Sequence, residues 1–285
     1  MNRRDKIKLS FTRNWKFPGG ERLARIFRSS STLRHGLKNG ITWLNDEPVA
    51  IYTTADNYIE CCVLETGSYE NEIEKLISIS LKEGDVALDI GANIGLQSLR
   101  MGRYAGLTGQ VLAFEPLSHL QKKFAKNILL NRLTNITLFP FALSDIADDV
   151  ERSVNDKAWN QGTFSLTNIE SSVSKQKIKI VVADEMPEIK ALLKLSLVKI
   201  DVEGFELNVL RGMQKTLARF RPRIIFEYDH NYWIKSGQSI DECFSFLKEL
   251  DYRIYQIFGA GCELLDSSAD CRSGNLLCIP NSPDK

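Results

Sequence analysis

The residues best suited to chemistry are concentrated in the segment Asp89-Ile90-Gly91-Ala92-Asn93-Ile94-Gly95. The segment follows an apolar run and precedes a stretch with helical periodicity, so we expect it to join a buried strand to a helix. Two glycines four residues apart let the backbone turn tightly and let a ligand approach it. The helix would then direct its free N–H groups at that ligand. The glycines alone are equally compatible with a tight strand–helix joint, so the acids nearby must decide.

Two acidic residues indicate what this loop binds. Glu115 ends the next predicted strand, where a carboxylate can accept hydrogen bonds from both hydroxyls of a ribose. The dinucleotide fingerprint G-x-G-x-x-G fails, because Asn93 and Leu96 occupy its second and third glycine positions counted from Gly91. Asp89 would repel a pyrophosphate and suits a ligand with an ammonium group instead. S-adenosylmethionine (SAM) has an ammonium, a sulfonium and a ribose but no phosphate, so it fits both acids.

A second acidic segment, Asp201-Val202-Glu203-Gly204-Phe205-Glu206, follows another predicted strand. Ligands of such sheets bind beyond the carboxyl ends of the strands, so Asp201 could orient an acceptor or take its proton. Glu203 lies on the loop itself and is a further candidate. Glu206 opens the next helix, where the helix dipole alone favours an acid.

His230 is the histidine that falls at the predicted carboxyl end of a strand. Its usual pKa suits a base, although a surface-loop position explains it equally well. The catalytic candidates are therefore Asp201, Glu203 and His230. A divalent cation held by Asp201, Asp229 and Asn231 could replace the base by lowering the pKa of the acceptor, and it is the less favoured alternative.

Strands and helices alternate from residue 86 onward, which predicts an α/β fold. We expect a doubly wound, mostly parallel, seven-stranded sheet with an antiparallel hairpin at one edge. Within it, residues 136–143 are predicted as one strand. Residues 1–80 are predicted to form a small basic α+β subdomain, helical over 21–38 and with a strand at 58–65. Residues 81–285 form the main domain, with a polar insertion at 146–183.

The formal net charge of +1 hides an asymmetry, because residues 1–50 contain eleven Lys and Arg against four acids. A basic arm with interleaved aromatic residues could contact phosphate, an anionic glycan or a membrane surface. A solvated helix face that packs its aromatics on the main domain is favoured instead. A nucleic-acid partner is not favoured, since no stacking pattern is present. No signal peptide or long apolar run is found, so the cytoplasm is the expected compartment.

Several of these stretches together resemble a known family. Residues 86–95 resemble motif I of class I SAM-dependent methyltransferases, which have a Rossmann-like fold. Within that superfamily the sequence is most similar to the FkbM type, through Gly67-Ser68-Tyr69-Glu70, Phe114-Glu115-Pro116 and the D-x-E-G-x-E segment at 201–206. The likeness covers about residues 67–258 and is specific through this combination of motifs.

The resemblance implies roles for individual residues. The glycine loop would hold the methionine end of SAM, Glu115 the ribose, and the end of the third strand the adenine. Glu70 would lie near the cofactor, although an acid in the first turn of a helix is equally favoured by the dipole. The predicted cofactor-binding residues are Glu70, Asp89, Gly91, Asn93, Gly95, Glu115, Ala142, Ser144 and Asp145.

The resemblance also points to O-methylation of a sugar, glycan or natural product. Residues 159–165 combine a tryptophan with amides and hydroxyls, a mixture that suits a sugar. Two alternatives stay open: N-methylation, or a non-catalytic SAM-binding module that docks a partner through its basic N-terminal arm. The presence of Asp201, Glu203 and His230 favours catalysis. The sequence fixes neither the acceptor nor the oligomeric state.

Overall fold

The structure, a computed structural model, describes residues 40–45, 49–54, 57–154, 174–259 and 261–281. The predicted helix over 21–38 lies outside these residues. The chain forms two compact units; the first ends its main segment at Asn71, and the second begins at Glu72. The domain boundary expected at residue 80 stays a prediction. In the described part of the chain, no helix combines the length and the apolarity needed to cross a bilayer.

The first unit contains a small antiparallel pair and one helix. Strand β1 (Gly40–Trp43) pairs with β2 (Ala50–Thr53), and helix α1 spans Tyr58–Thr66. The prediction of a strand at 58–65 is wrong. The side chain of Asn57 accepts hydrogen bonds from the N–H groups of the first turn of α1, and Gly67, with φ of +74°, ends the helix. These caps select a helix for an apolar run that periodicity alone leaves ambiguous.

From Asn71 onward the elements follow in a regular order. They are α2 (Asn71–Ser80), β3 (Val86–Ile90), α3 (Leu96–Ala105), β4 (Gln110–Phe114), α4 (Ser118–Asn131), β5 (Ile136–Phe139), β6 (Phe141–Ser144), β7 (Asp148–Val154), β8 (Ser174–Val182), α5 (Pro187–Lys190), β9 (Leu197–Ile200), α6 (Glu206–Gly212), α7 (Gln214–Phe220), β10 (Arg223–Tyr228), α8 (His230–Lys235), α9 (Ile240–Glu249), β11 (Tyr252–Phe258), β12 (Gly261–Leu264) and β13 (Gly274–Pro280).

The main sheet has the strand order β12-β11-β13-β10-β9-β3-β4-β5. Strands β3, β4, β5, β9 and β10 pair in parallel, and β13 runs antiparallel to both of its neighbours. The doubly wound, mostly parallel sheet with an antiparallel edge is therefore confirmed. The predicted count of seven strands is wrong, because β12 pairs with β11 and adds an eighth. The order reverses between β3 and β9, which makes this the switch point where ligands bind.

Both faces of the sheet are covered by helices. Leu88 and Val198 lie in a buried cluster with residues of α6, α7 and α9. Their chain neighbours Ala87 and Leu197 lie in a second cluster with residues of α2 and α3. Because side chains alternate between the faces of a strand, both clusters require continuous apolar strands such as those seen here. This packing fixes the strands whose carboxyl ends carry the candidate site.

The predicted third strand, 136–143, is broken at Pro140. Its first half, β5, stays in the main sheet, whereas β6 pairs with β8 in a separate three-stranded sheet with β7. Proline removes a backbone donor from the ladder, which accounts for the break. The side-chain amide of Gln176 on β8 donates to the carbonyl of Pro116 at 2.7 Å, and this ties the smaller sheet to the turn after Glu115. Residues 159–165 of the insertion lie outside the described residues.

Candidate active site

The loops that follow β3 and β9 touch each other. The amide of Asp201 donates to the carbonyl of Ile90 at 2.9 Å. Gly91 has φ of +82°, and a Cβ added to it would lie 1.8 Å from the carbonyl oxygen of Asp201. Only glycine permits both this conformation and this approach. The structure therefore brings the predicted glycine loop and the predicted acceptor-side acid into direct contact.

The glycine loop is held by the end of β4. The amides of Gly91 and Ala92 both donate to the carbonyl of Phe114, at 3.0 and 2.9 Å. The amide of Asn93 donates to the carboxylate of Glu115 at 2.8 Å. Glu115 therefore shapes the loop as well as facing it. Gly95, with φ of +87°, has a different reason to be glycine, because a Cβ there would lie 2.0 Å from the ring of Phe124.

Asp89 and Glu115 are two buried acids beside this loop. Asp89 is fully buried and accepts a hydrogen bond from the hydroxyl of Ser98, and its Oδ1 finds no partner among the described residues. Burial raises the pKa of Asp89, against the opposing field of Lys199. Burial also raises the pKa of Glu115 to about 7, although its carboxylate accepts the N–H groups of Asn93 and Leu117. A positively charged ligand beside these two carboxyl groups would offset the cost of burying them.

The acidic loop after β9 is built on Glu206. The buried carboxylate of Glu206 accepts the N–H groups of Val202, at 2.9 Å, and of Gly204, at 3.1 Å. Burial raises the pKa of this carboxyl to about 7. Glu206 therefore shapes the loop, a stronger role than the dipole-favoured acid that the sequence suggested.

Glu203 projects from this loop in a strained conformation, with φ of +56°. Burial raises its pKa to about 8, and the neighbouring Asp201 and Glu206 carboxylates add to the shift. The Glu203 carboxyl lies beside the hydroxyl of Tyr232, and its Oε2 has no hydrogen-bond partner among the described residues. Sequence reasoning missed Tyr232. The glycine at position 204 was the available hint of a close neighbour. A Cβ there would lie 2.7 Å from the carbonyl oxygen of Tyr232.

Asp201 itself is partly exposed. Its Oδ2 lies 3.1 Å from the ammonium of Lys199, and its side chain is 29% exposed against 5% for the lysine. The carboxylate thus contacts a buried ammonium on one side and solvent on the other. A group in this position is accessible to a substrate that binds from solvent.

His230 is exposed at the start of α8, as expected from its place after β10. Its Nδ1 lies 3.0 Å from the hydroxyl of Tyr228, and its amide donates to Ser273. These bonds connect His230, the first residue of α8, to β10 and to the segment before β13. Glu203 instead lies beside Tyr232, two residues further along α8. Asp229 caps α8 by accepting the N–H groups of Asn231 and Tyr232.

Two further predictions concern metals and adenine. Among the described residues, no group of three or more His, Cys, Asp or Glu side chains is arranged to hold a metal ion. Ala142 and Ser144 lie on β6, and Asp145 follows it. The carboxylate of Asp145 accepts hydrogen bonds from Ser144 and from Asn208 of α6. Their contact with adenine stays a prediction, as does the role of Glu70, which belongs to the first unit.

The strand order and the two loops define a class I methyltransferase fold. The chain matches the Methyltransferase FkbM domain over residues 89–254, more than half of its length, and it belongs to this family. It is also similar to the hexuronic acid methyltransferase AglP of Haloferax volcanii, with 32% identity over 148 residues. That alignment covers 52% of this chain and 58% of AglP, so the chain spans somewhat more than half of the relative's length.

Two solved structures are more distantly similar. One is the methyltransferase FkbM of Methylobacillus flagellatus, with 13% identity and a TM-score of 0.46, covering 97% of this chain and 59% of that one. The other is the SAM-dependent O-methyltransferase of Thermotoga maritima, with 12% identity and a TM-score of 0.43, covering 87% of this chain and 80% of that one.

The contact between the two loops can be tested at Gly91. Gly91→Ala should lower the free energy of unfolding by about 2–5 kcal/mol, because backbone strain and steric overlap with Asp201 act together. Gly237→Ala is the matched control, since Gly237 also has positive φ, at +70°, but a Cβ there meets nothing within 4 Å. It should lose only the strain contribution, about 1 kcal/mol. Urea denaturation followed by circular dichroism measures both, and equal losses would contradict the close contact.

The raised pKa of Glu203 predicts a pH-dependent stability. A carboxyl whose pKa is near 4.5 when unfolded and about 8 when folded favours the protonated form in the folded protein. Its stabilising contribution is complete below about pH 4.5 and is lost as the pH rises through about 8.

Glu203→Gln should therefore show a smaller fall in unfolding free energy between about pH 5 and pH 9 than the wild type. Glu115 and Glu206 titrate in both proteins, so the difference between them isolates Glu203. Glu242→Gln removes an exposed glutamate paired with Arg211 and serves as the control. Parallel curves for the wild type and Glu203→Gln would show that Glu203 is not buried as described.

Proposed function

We propose that this protein is a SAM-dependent methyltransferase that methylates a hydroxyl group of a sugar or glycan. The observation that carries the proposal is the contact between Gly91 and the backbone of Asp201. It makes the pocket of Asp89 and Glu115 adjoin the partly exposed carboxylate of Asp201. A cofactor held on one loop and an acceptor held at the other would then meet, and alignment is the main requirement of methyl transfer. Membership of the FkbM methyltransferase family supports this.

The donor groups of the pocket fit SAM. The unpartnered Oδ1 of Asp89 is a buried acceptor, suited to the N–H groups of an ammonium. Glu115, held in place by the amides of Asn93 and Leu117, retains lone pairs for the hydroxyls of a ribose. Several carboxylates close together favour a ligand with positive charge over a phosphate. When bound, SAM supplies a methyl group activated by its sulfonium.

Asp201 is the proposed base. Lys199 holds Oδ2 of its carboxylate, which leaves Oδ1 to accept the proton of the acceptor hydroxyl as the new O–C bond forms. The C–S bond breaks in the same step, and its electron pair neutralises the sulfonium. Glu203 lies on the same loop and is proposed to orient the acceptor. His230 is the second candidate base, and a divalent cation is the less favoured alternative.

The relative AglP suggests the acceptor to test first. Its name assigns it a hexuronic acid, so glycosides of a uronic acid are the natural first panel, with neutral hexosides beside them. An amine acceptor, or a SAM-binding module without catalysis, remains a competing reading. A methyl product on oxygen, on nitrogen, or no product at all distinguishes these three.

Cofactor binding has a direct test by titration calorimetry. The wild type should bind SAM and its demethylated product but not NAD. Asp89→Asn should weaken SAM binding roughly 10- to 100-fold, because a charge-assisted hydrogen bond becomes a neutral one. Asp85→Asn is the matched control, since Asp85 precedes the same strand at its opposite end and pairs with Lys194. Binding of NAD without SAM, or equal effects of the two substitutions, would contradict the proposed pocket.

The base is tested by turnover with labelled SAM and a uronic acid glycoside. Asp201→Asn should lower kcat on the order of 100-fold or more, with a much smaller change in SAM affinity. His230→Ala should have a smaller effect, and a chelator the smallest. If Asp201→Asn turns over normally and His230→Ala does not, His230 is the base. If chelation abolishes turnover while His230→Ala stays active, the cation performs the base's task.

A further inference from the structure

Lys199 is a buried lysine between the two halves of the proposed site. Lys199 lies on β9, directly opposite Asp89 of the neighbouring strand β3. Its ammonium lies 3.1 Å from Oδ2 of Asp201, at the end of its own strand. The side chain is 5% exposed, so the charge is almost fully removed from water.

A buried ammonium is stable only when it is paired. Here the partners belong to two different functions, because Asp89 lines the cofactor pocket and Asp201 faces the acceptor. Burial is the main cause of the raised pKa of Asp89; the Lys199 ammonium opposes it, and the charge of Asp201 adds to it. One ammonium therefore offsets the repulsion between two carboxylates that the contact of the two loops forces together.

We infer that Lys199 is a positioning residue that holds the carboxylate of Asp201 toward the acceptor while it balances the charge of Asp89 beneath the cofactor. The inference rests on the proposed function. It gives Lys199 no direct contact with the reacting atoms; its effect passes through Asp201. Lys199 is not among the predicted site residues, because a lysine inside a strand ordinarily points to solvent.

The role predicts a change in the pH dependence of turnover. The groups facing Asp201 are Lys199, Asp89 and Glu115 from the strands, and Glu203 and Glu206 from its own loop. In Lys199→Met the groups named here that remain are all acidic, and the proposed base loses the cation that favours its charged form. The acidic limb of the kcat profile should move up by about one pH unit or more.

At neutral pH, kcat of Lys199→Met should fall about 10-fold or more, while the acceptor KM changes less. Turnover should recover as the pH rises. Lys199→Arg retains the positive charge, so the acidic limb of its kcat profile should stay at the wild-type pH. Lys194→Met is the matched control, because Lys194 forms a similar pair with Asp85, at 3.2 Å, at the other end of the sheet. That variant should leave the profile unchanged.

Lys199→Met leaves the buried carboxyl of Asp89 and the partly exposed one of Asp201 without their cation, so a second variant guards against a loss of folding. The double variant Lys199→Met/Asp89→Asn removes one charge of each sign and keeps the buried net charge constant. At saturating SAM it should still show an upward shift of the limb, smaller than that of Lys199→Met because one acidic neighbour has also been removed. If the acidic limb of the kcat profile stays at the wild-type pH in both variants, or if raising the pH does not restore turnover, Lys199 does not have this role. A wild type that neither binds SAM nor turns over would instead overturn the proposed function.

Discussion

The contact between Gly91 and the carbonyl of Asp201 is the constraint on which the rest of the site depends. It exists because β3 and β9 are neighbours in the sheet although much of the chain separates them, and because the amide of Asp201 bonds to Ile90. Neighbouring parallel strands end at the same edge, so the loops that follow them must share space. A side chain at position 91 would drive them apart. The close approach of the two loops thus depends on the absence of one methyl group.

The same closeness creates an electrostatic problem that the structure solves in two ways. Asp89, Glu115, Glu203 and Glu206 all have raised pKa values, with burial as the main cause. Backbone N–H groups hold Glu115 and Glu206 in fixed orientations, and the Lys199 ammonium offsets part of the charge on Asp89. What remains is a set of closely spaced carboxyl groups with one buried oxygen, Oδ1 of Asp89, that has no partner among the described residues. A ligand with an ammonium and a sulfonium suits these groups, whereas a phosphate does not.

Much of this could be predicted from the sequence, because alternation of strands and helices determines which ends of which strands meet. That reasoning placed Asp89, Gly91, Glu115 and Asp201 on one edge of a mostly parallel sheet. It failed where a single local residue or an added edge strand decides: Asn57 turns 58–65 into a helix, Pro140 separates β6 from the main sheet, and β12 adds an eighth strand. It also could not distinguish the roles of the two glycines. A side chain at Gly91 would overlap the backbone of Asp201, whereas one at Gly95 would overlap the ring of Phe124. Tyr232 and Lys199 escaped notice because their significance lies only in what they touch.

Membership of the FkbM family and the geometry at the switch point thus converge on one account, in which the cofactor and the acceptor meet at the ends of β3 and β9. A crystal structure with S-adenosylhomocysteine bound tests it most directly. The account predicts the amino group of the ligand at Asp89, its ribose at Glu115, and its sulfur facing the space beside Asp201. Density for the ligand elsewhere, such as the pocket lined by Lys82, Ser196 and Arg223 at the opposite end of the sheet, would contradict the account.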